Sequence, residues 1–174
     1  MPTAIITGAS QGIGAGLVEG FLGESYDVVA TALDATRKLS PSSHLLLVDG
    51  DLGKRETAAE VVRTAADRFG AVDVLVNNVG IYRAKPFTEC TEDDLDALLS
   101  VNLVGFVHLN AVAPGVVNTP LHEDDPKDDL KKQQPMGSLT EVKDIVEAVL
   151  YLSRARQVTG QVLYVDGGAR VGRW

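Results

Sequence analysis

The sequence is poor in several residue types, and each shortage excludes a class of protein. Cys90 is the only cysteine, which rules out an internal disulfide or a cysteine-based metal cluster and suits a reducing cytoplasm. Lysine and arginine number 16 against 24 acidic residues, and the net charge of -8 argues against binding to nucleic-acid phosphates. No apolar run approaches the roughly 20 residues that span a bilayer. Neither a nucleic acid nor a membrane is expected as a partner.

Signals for export and for a metal ion are also missing. Met1 leads directly into an apolar strand pattern with no basic region before it, so we expect a cytoplasmic protein. His44, His108 and His122 stand alone, and no spacing of His, Asp and Glu predicts a metal site. A small molecule is therefore the expected ligand.

The order of the apolar segments predicts an α/β fold. A chain of 174 residues is long enough for one domain but short for two, so residues 1–174 are predicted to form a single domain. Short β-branched runs alternate with amphipathic helices, which is typical of βαβ units and a parallel, doubly wound Rossmann-type sheet. The predicted strands are residues 3–7, 27–32, 44–48, 72–77, 109–113 and 161–165. Predicted helices include 56–69, capped by Gly70, one starting at Thr91 with Asp94 closing its cap, and 141–152.

A glycine-rich turn follows the first predicted strand. Residues 7–14 read Thr-Gly-Ala-Ser-Gln-Gly-Ile-Gly and open a helix with Leu17, Phe21 and Leu22 on one face. Glycines let the backbone turn sharply and approach a pyrophosphate, and the helix N-terminus offers unpaired N–H groups. An ordinary strand-to-helix turn is the alternative. The strand before and the helix after the glycines nevertheless indicate a dinucleotide site.

Five further motifs follow along the chain. They are Asp51-Leu52, Asn77-Asn78-Val79-Gly80, Asn102 within Ser100-Val101-Asn102-Leu103, Pro114-Gly115-Val116-Val117-Asn118-Thr119, and Asp166-Gly167-Gly168. Together with the spacing Gly-x-x-x-Gly-x-Gly after a threonine, they resemble the short-chain dehydrogenase/reductase family. The resemblance runs from residue 7 to residue 168. It implies NAD or NADP as cofactor and hydride transfer involving a carbonyl or a secondary alcohol.

The resemblance also implies roles for individual residues. Asn102 matches the helix asparagine that holds a catalytic water, Asp51 the residue at the adenine ring, and 114–119 the segment at the nicotinamide carboxamide. The residues implied to bind the cofactor are Thr7, Gly8, Ser10, Gln11, Gly12, Ile13, Gly14, Asp51, Leu52, Asn78, Val79, Gly80, Pro114, Gly115, Val117 and Thr119. From its position in an apolar helix stripe alone, Asn102 could equally make a structural hydrogen bond.

The proton-transfer residues of the family are missing. The family uses a Tyr whose pKa is lowered by a Lys four positions later on one helix, with a Ser that orients the substrate. Here Tyr26, Tyr82, Tyr151 and Tyr164 are followed four positions later by Ala30, Pro86, Ala155 and Gly168. Lys85 lies three positions after Tyr82, but the adjacent Pro86 argues against a helix, so we interpret that pair as structural.

The missing residues belong to one segment. Residues 102–106 resemble the middle of the family's fourth helix and 110–115 its sixth strand, so only Val107, His108 and Leu109 stand where the fifth strand and fifth helix belong. Such a unit needs roughly 30 residues or more. An internal deletion, a mispredicted gene product and a longer chain with a segment left out are the three explanations. His108 is disfavoured as a substitute base because no Ser, Asp or Glu beside it completes an arrangement.

The residues that choose between NAD and NADP give a mixed indication. Ala32 stands where NAD users of the family place an Asp for the ribose hydroxyls, Asp34 is two positions late, and Arg37 and Lys38 follow. Gln11 stands where many NADP users carry Arg. The balance leans toward NADP without excluding NAD.

Two functions remain open. The first is an NAD(P)-dependent oxidoreductase by lineage, acting on a small-molecule substrate and impaired or inactive without the missing unit. The second is a non-catalytic dinucleotide-binding regulatory or partner protein. An acidic, polar stretch covers residues 123–134. Its acidic part, residues 123–129, falls where the family has its substrate-covering loop, with a plain solvated loop as the alternative.

The missing unit also predicts changes in the sheet and in assembly. The resemblance implies the strand order 3-2-1-4-5-6-7, in which the fifth strand is missing here. Because unpaired buried strand edges are costly, we expect residues 109–113 to pair directly with 72–77, with 161–165 beside them, in a six-stranded parallel sheet. Loss of the fifth helix removes much of the surface through which the family oligomerises. A homo-oligomer with an altered interface is therefore expected.

Overall fold

The computed structural model describes residues 1–81, 85–95, 111–155, 157–158 and 161–171. The chain divides into two compact units. Unit 1 comprises Met1–Ser10 and Leu17–Val107, and unit 2 comprises Gln11–Gly16 and His108–Trp174. Helix α1, Gly12–Gly23, begins in unit 2 and ends in unit 1.

Unit 1 is built on a four-stranded parallel sheet. Its order is β3-β2-β1-β4, where β1 is Thr3–Thr7, β2 is Asp27–Ala32, β3 is Leu45–Asp49 and β4 is Val74–Val76. All five residues of β1 and five of the six residues of β2 are buried. A strand that is covered on both faces reads as a continuous apolar run rather than an alternating one, which is the pattern of these two strands.

Helix α3, Arg55–Phe69, packs against this sheet. Val61 and Ala65 lie one turn apart and pack in one buried cluster with Ile5, Val29 and Val48. The predicted C-cap is confirmed: Gly70 has a φ of 85° and its N–H donates to the Ala66 carbonyl. The short helix α2, Ala35–Lys38, connects β2 to β3.

The predicted helix start at Thr91 is also confirmed. The Thr91 N–H and hydroxyl donate to Asp94 Oδ2 at 2.9 and 2.8 Å, and the Asp94 N–H donates to Thr91 Oγ1 at 3.3 Å. Residues 92–95 are helical. The remainder of that predicted helix lies outside the described residues.

Unit 2 contains a two-stranded parallel sheet and two helices. Strand β5, Ala111–Pro114, pairs with β6, Val162–Val165, and the helices are α4, Lys127–Lys132, and α5, Val142–Arg154. Glu141 and Asp144 form a capping box at the start of α5. The buried face of α5 carries Ile145 and Ala148, and the helix packs against both strands.

The expectation of one six-stranded sheet is wrong. The strands described here form two sheets, in which β4 pairs with β1 and β5 pairs with β6. In the strand order that the resemblance implies, β4 and β5 flank the missing strand, and each keeps its other neighbour. Since β4 has only three residues, pairing with it would add few hydrogen bonds, whereas β5 and the chain after it are held by contacts within unit 2.

The α/β Rossmann-type class is otherwise confirmed. Strands β1 and β2 have their predicted bounds, β3 is displaced by one residue, and β4 is three residues shorter than predicted. Within the described ranges, no helix is long and apolar enough to cross a membrane.

Candidate functional site

A threonine and an asparagine tie the end of β1 to the chain that follows β4. Thr7 Oγ1 accepts hydrogen bonds from the N–H groups of Asn78 and Val79 at 2.9 and 3.0 Å, and donates to the Val76 carbonyl at 3.2 Å. Asn78 Nδ2 donates to the carbonyls of Thr7 and Gly8 at 3.0 and 3.1 Å. Each such bond contributes roughly 0.5–1.5 kcal/mol, so the network fixes the entry to the glycine loop firmly.

Gly8 occupies a position that a side chain would not fit. Its φ is +62°, and a Cβ would lie 2.9 Å from Val79 Cα and 3.1 Å from Asn78 Nδ2. An L-residue is strained in this left-handed conformation. The turn therefore keeps the bare backbone by which strand-to-helix loops approach a pyrophosphate.

The glycine loop continues from Ser10 into unit 2. Gly12 has a φ of +55°, and a Cβ there would lie 3.5 Å from the side chain of Thr119. Ile13 and the buried Gly14 form the first turn of α1. Unit 2 thus brings the second half of the glycine loop beside the end of the predicted nicotinamide segment.

A close backbone contact holds the start of that segment. The Gly115 N–H donates to the Val165 carbonyl at 3.0 Å, and a Cβ on Gly115 would lie 2.7 Å from Asp166 Cα. The Asp166 carboxylate accepts hydrogen bonds from the N–H groups of Gly168 and Arg170 at 2.9 and 2.8 Å. The Asp166-Gly167-Gly168 signature therefore forms a self-closed turn against which the segment packs.

Thr140 holds the rest of the segment. Its N–H donates to the Val116 carbonyl at 3.1 Å, and its carbonyl accepts from the Asn118 N–H at 2.9 Å, which makes a short parallel bridge at Val117. Val117 itself is buried. The Asn118 side chain donates to the Glu141 carboxylate at 3.3 Å.

The other predicted residues are placed as follows. Asp51 and Leu52 lie just past β3 in unit 1, where Asp51 Oδ1 accepts from the Gly53 N–H at 2.9 Å. Val79 is half-buried and Gly80 exposed. Asn102, the predicted catalytic residue, lies outside the described residues, as do Tyr82 and His108.

One carboxylate beside the predicted ribose position was not anticipated. Asp49 Oδ1 accepts from the Thr36 N–H at 2.8 Å, and Asp49 Oδ2 is hydrogen-bonded to the Thr36 hydroxyl. The hydroxyl bond, followed by the backbone bond, holds the pKa of Asp49 below its usual value. The two residues are 13 positions apart and share no periodic pattern, so nothing in the sequence linked them.

The acidic stretch contains more structure than its composition indicated. It follows a 3-10 turn at Pro120–His122 and includes α4, on which Leu130 is buried. Lys127 Nζ donates to the His122 carbonyl at 2.7 Å. Gln134, which ends the stretch, is also buried, and no pattern in the sequence singled it out.

Comparison with known proteins assigns the family. Residues 2–111 match the family model described as short chain dehydrogenase, and residues 107–170 match one described as enoyl-(acyl carrier protein) reductase. The chain belongs to the short-chain dehydrogenase family, a lineage of NAD(P)-dependent oxidoreductases. The two matches meet at residues 107–111, which is where the sequence predicts the missing unit.

A relative gives the size of the missing part. The chain is 28% identical to (2S)-[(R)-hydroxy(phenyl)methyl]succinyl-CoA dehydrogenase subunit BbsD of Thauera aromatica over 235 aligned positions, covering 95% of each protein. Since 95% of 174 residues is about 165, about 70 of the 235 positions have no residue of this chain opposite them. That length is ample for a strand, a helix and their connections.

Solved structures share the fold. One is 3-ketoacyl-(acyl-carrier-protein) reductase from Brucella melitensis complexed with NADH, with a TM-score of 0.88, 23% identity and coverage of 97% of this chain and 98% of that one. Another is ElxO with NADP bound, with a TM-score of 0.87, 21% identity and coverage of 98% and 99%. At these identities the likeness establishes the fold alone.

Proposed function

We propose that this chain binds NAD or NADP through its glycine loop and performs little or no catalysis by itself. The observation that carries the proposal is the network of Thr7 and Asn78 around the left-handed Gly8. A loop that is held by these hydrogen bonds and has no side chain at Gly8 is preorganised for a pyrophosphate. NADH and NADP are bound by two proteins of the same fold, which supports the choice of cofactor.

The described residues fit a nicotinamide dinucleotide. Gly8 provides a cradle that a Cβ would fill, and the N–H groups at the start of α1 suit the negative pyrophosphate. By family resemblance, Asp51 and Leu52 contact the adenine, Asn78–Gly80 line the cofactor, and Pro114–Thr119 receive the nicotinamide carboxamide. When bound, the nicotinamide would donate or accept a hydride.

The missing proton-transfer residues argue against efficient turnover. A positioned general acid or base contributes about 10²–10⁴-fold to a rate, and this sequence has no Tyr-x-x-x-Lys pair to provide one. A nucleotide bound without turnover would stabilise the fold, as expected for a regulatory or partner protein. The lean toward NADP remains a prediction from Gln11 and Ala32.

An active oxidoreductase is the second candidate. The similarity to the (2S)-[(R)-hydroxy(phenyl)methyl]succinyl-CoA dehydrogenase subunit over 95% of both chains favours it, as does the sequence match of Asn102. On this proposal the substrate is a small carbonyl compound or secondary alcohol. We expect a homo-oligomer with an altered interface under either candidate function.

Calorimetric titration with NAD and NADP tests the binding proposal. We expect saturable binding to the wild type and weaker binding to Gly14→Val, since a branched side chain in the first turn of α1 would crowd the pyrophosphate. Gly23→Ala is the control, because a Cβ there meets nothing within 4 Å. Absence of heat and of saturation up to millimolar concentrations would refute the proposal.

A turnover assay separates the two candidates. With ketones, aldehydes and secondary alcohols we expect no change in the absorbance of reduced nicotinamide. A clear substrate-dependent change that Asn102→Ala abolishes would establish the active oxidoreductase instead.

A further inference from the structure

Gln134 is a buried amide at the end of the acidic stretch. Its side chain is 2% exposed, although it follows α4 in a run of polar residues. Burial of an amide is costly unless its donor and acceptor are both paired. A leucine would fill a similar volume without needing hydrogen-bond partners. We therefore expect the Gln134 amide to be present for the direction of its hydrogen bonds.

Both ends of the amide are paired within unit 2. Gln134 Nε2 donates to the Val116 carbonyl at 2.7 Å, and Gln134 Oε1 accepts from the Thr140 hydroxyl at 3.0 Å. The Val116 carbonyl also accepts from the Thr140 N–H at 3.1 Å, so both of its acceptor positions are used. Gln134 and Thr140 together fix the direction of this one carbonyl.

The contacts of Gln134 extend to the C-terminal signature. A Cβ on Gly167 would collide with Gln134 Oε1, and the Gly167 carbonyl accepts from the Met136 N–H at 3.0 Å. The amide is therefore confined on one side by the Asp166-Gly167-Gly168 turn and bonded on the other to Val116. Its geometry is set by three segments of unit 2.

We infer that Gln134 is a positioning residue, which holds the Val116 peptide so that Pro114–Thr119 can receive the nicotinamide end of the cofactor. The inference rests on the proposed cofactor binding. It does not require Gln134 to touch the cofactor. The hydrogen bond to Val116 acts on the backbone that the cofactor would meet.

The test compares a dinucleotide with the same molecule lacking nicotinamide. Kd is measured by calorimetry for NAD and ADP-ribose, or for NADP and 2′-phospho-ADP-ribose, whichever pair the wild type prefers. In Gln134→Leu we expect Kd for the dinucleotide to rise about tenfold or more, as for loss of one buried hydrogen bond, while Kd for the truncated ligand stays unchanged. Thr140→Val should act in the same direction with a smaller effect.

Leu130→Ala is the matched control. Leu130 is buried on the same segment but makes its contribution by packing, so its truncation lowers stability without removing the bond to Val116. We expect Leu130→Ala to lower the melting temperature while keeping the affinity difference between the two ligands. If Leu130→Ala and Gln134→Leu reduce that difference equally, Gln134 is merely structural and the inference is wrong.

Gln134→Glu gives a second readout, which also applies if the leucine variant fails to fold. An ionised carboxylate cannot donate to the Val116 carbonyl, whereas the protonated acid can, and burial favours the protonated form. Dinucleotide binding by Gln134→Glu should therefore recover as the pH is lowered, relative to the wild type. Absence of recovery would count against the inference.

The outcomes distinguish the inference from the proposed function. A wild type that binds neither ligand refutes both. A wild type that binds both ligands equally well, or a Gln134→Leu variant that keeps the full difference, overturns the role of Gln134 and leaves cofactor binding intact.

Discussion

The two units differ in what fills their interiors. In unit 1, strands β1 and β2 are buried along nearly their whole length, and the core is mainly aliphatic, with residues such as Ile5 and Val29 at 1% and 0% exposure beside buried threonines. In unit 2, no residue of β5 or β6 is fully buried, and the interior includes the polar pair Gln134 and Thr140. Apolar burial is extensive in unit 1, whereas the fewer buried residues described in unit 2 include a hydrogen-bonded polar pair.

Strand burial varies within each unit as well as between the two units. Strand β4 of unit 1 and strand β5 of unit 2 are the two that would flank the absent strand in the family order, and both are only partly buried. In unit 1, β1 and β2 are the buried strands, whereas β3 has two fully buried residues. The sequence motifs of the nucleotide-binding half are present, and the missing segment is the one to which the family resemblance assigns proton transfer.

The largest difference between the units should appear in core truncations. Ile5→Ala should cost about 2–5 kcal/mol, because it leaves a cavity in a buried strand. Val162→Ala in β6 should cost less than about 1 kcal/mol, since Val162 is 50% exposed. Urea unfolding followed by circular dichroism measures both, and equal losses would contradict the comparison.

A pair of glycine substitutions, one in each unit, should separate the two ends of the cofactor. Gly8→Ala combines a left-handed conformation with a backbone clash and should cost about 2–4 kcal/mol, with loss of binding to both NAD and ADP-ribose. Gly115→Ala would press on the backbone of Asp166, so we expect it to weaken binding of NAD and to spare binding of ADP-ribose. Titration calorimetry on the two variants checks this, and a loss of ADP-ribose binding in Gly115→Ala would be contrary to expectation.

Two buried threonines in the sheet of unit 1 should respond differently. Thr7→Val removes the acceptor of two N–H groups and should cost about 1–3 kcal/mol. Thr31→Val should be neutral or stabilising, because Thr31 Oγ1 is buried with no hydrogen-bond partner in the described part of the chain. Thermal unfolding of the two variants provides the measurement. A larger loss of stability in Thr31→Val than in Thr7→Val would show that the Thr31 hydroxyl does stabilise the fold.

The smallest effect concerns Asp49 at the exposed edge of unit 1. Its pKa is lowered by the Thr36 hydroxyl, so the ionised form is favoured in the folded state. The resulting stability is present above the usual aspartate pKa and is lost as the pH falls through the lowered value. Thr36→Val should raise the pKa of Asp49 toward its usual value, which an NMR titration of the carboxylate measures. An unchanged pKa would mean that the backbone N–H of Thr36 suffices.

The parts of the fold that could be predicted are those with short-range patterns. Strands β1 and β2 were located because continuous apolar runs end at turn residues, and the caps at Thr91 and Gly70 because their chemistry is local. For β5, the predicted neighbour β6 is confirmed and the predicted pairing with β4 is wrong, since that pairing depends on contacts between distant segments. The contact of Gln134 could not be predicted either, since it meets Val116 across 18 positions with no periodicity between them.

The sequence names candidate residues for the site but not the structural role of each. Thr7 and Asn78 were expected to bind the cofactor, yet their described side-chain hydrogen bonds hold the glycine loop and the chain after β4 together. The sequence motifs predict which residues belong to the site. They do not say which side chains would contact a ligand and which support the backbone that does.

The central claim is that the chain binds the cofactor but does not turn over a substrate. The most direct test measures both properties on one sample. NADH or NADPH is titrated into the protein while cofactor fluorescence is followed, and a panel of ketones and aldehydes is then added while the absorbance of the reduced nicotinamide is recorded. We predict saturable binding followed by constant absorbance. Failure to saturate, or a substrate-dependent fall in absorbance above that of a protein-free control, would contradict the account.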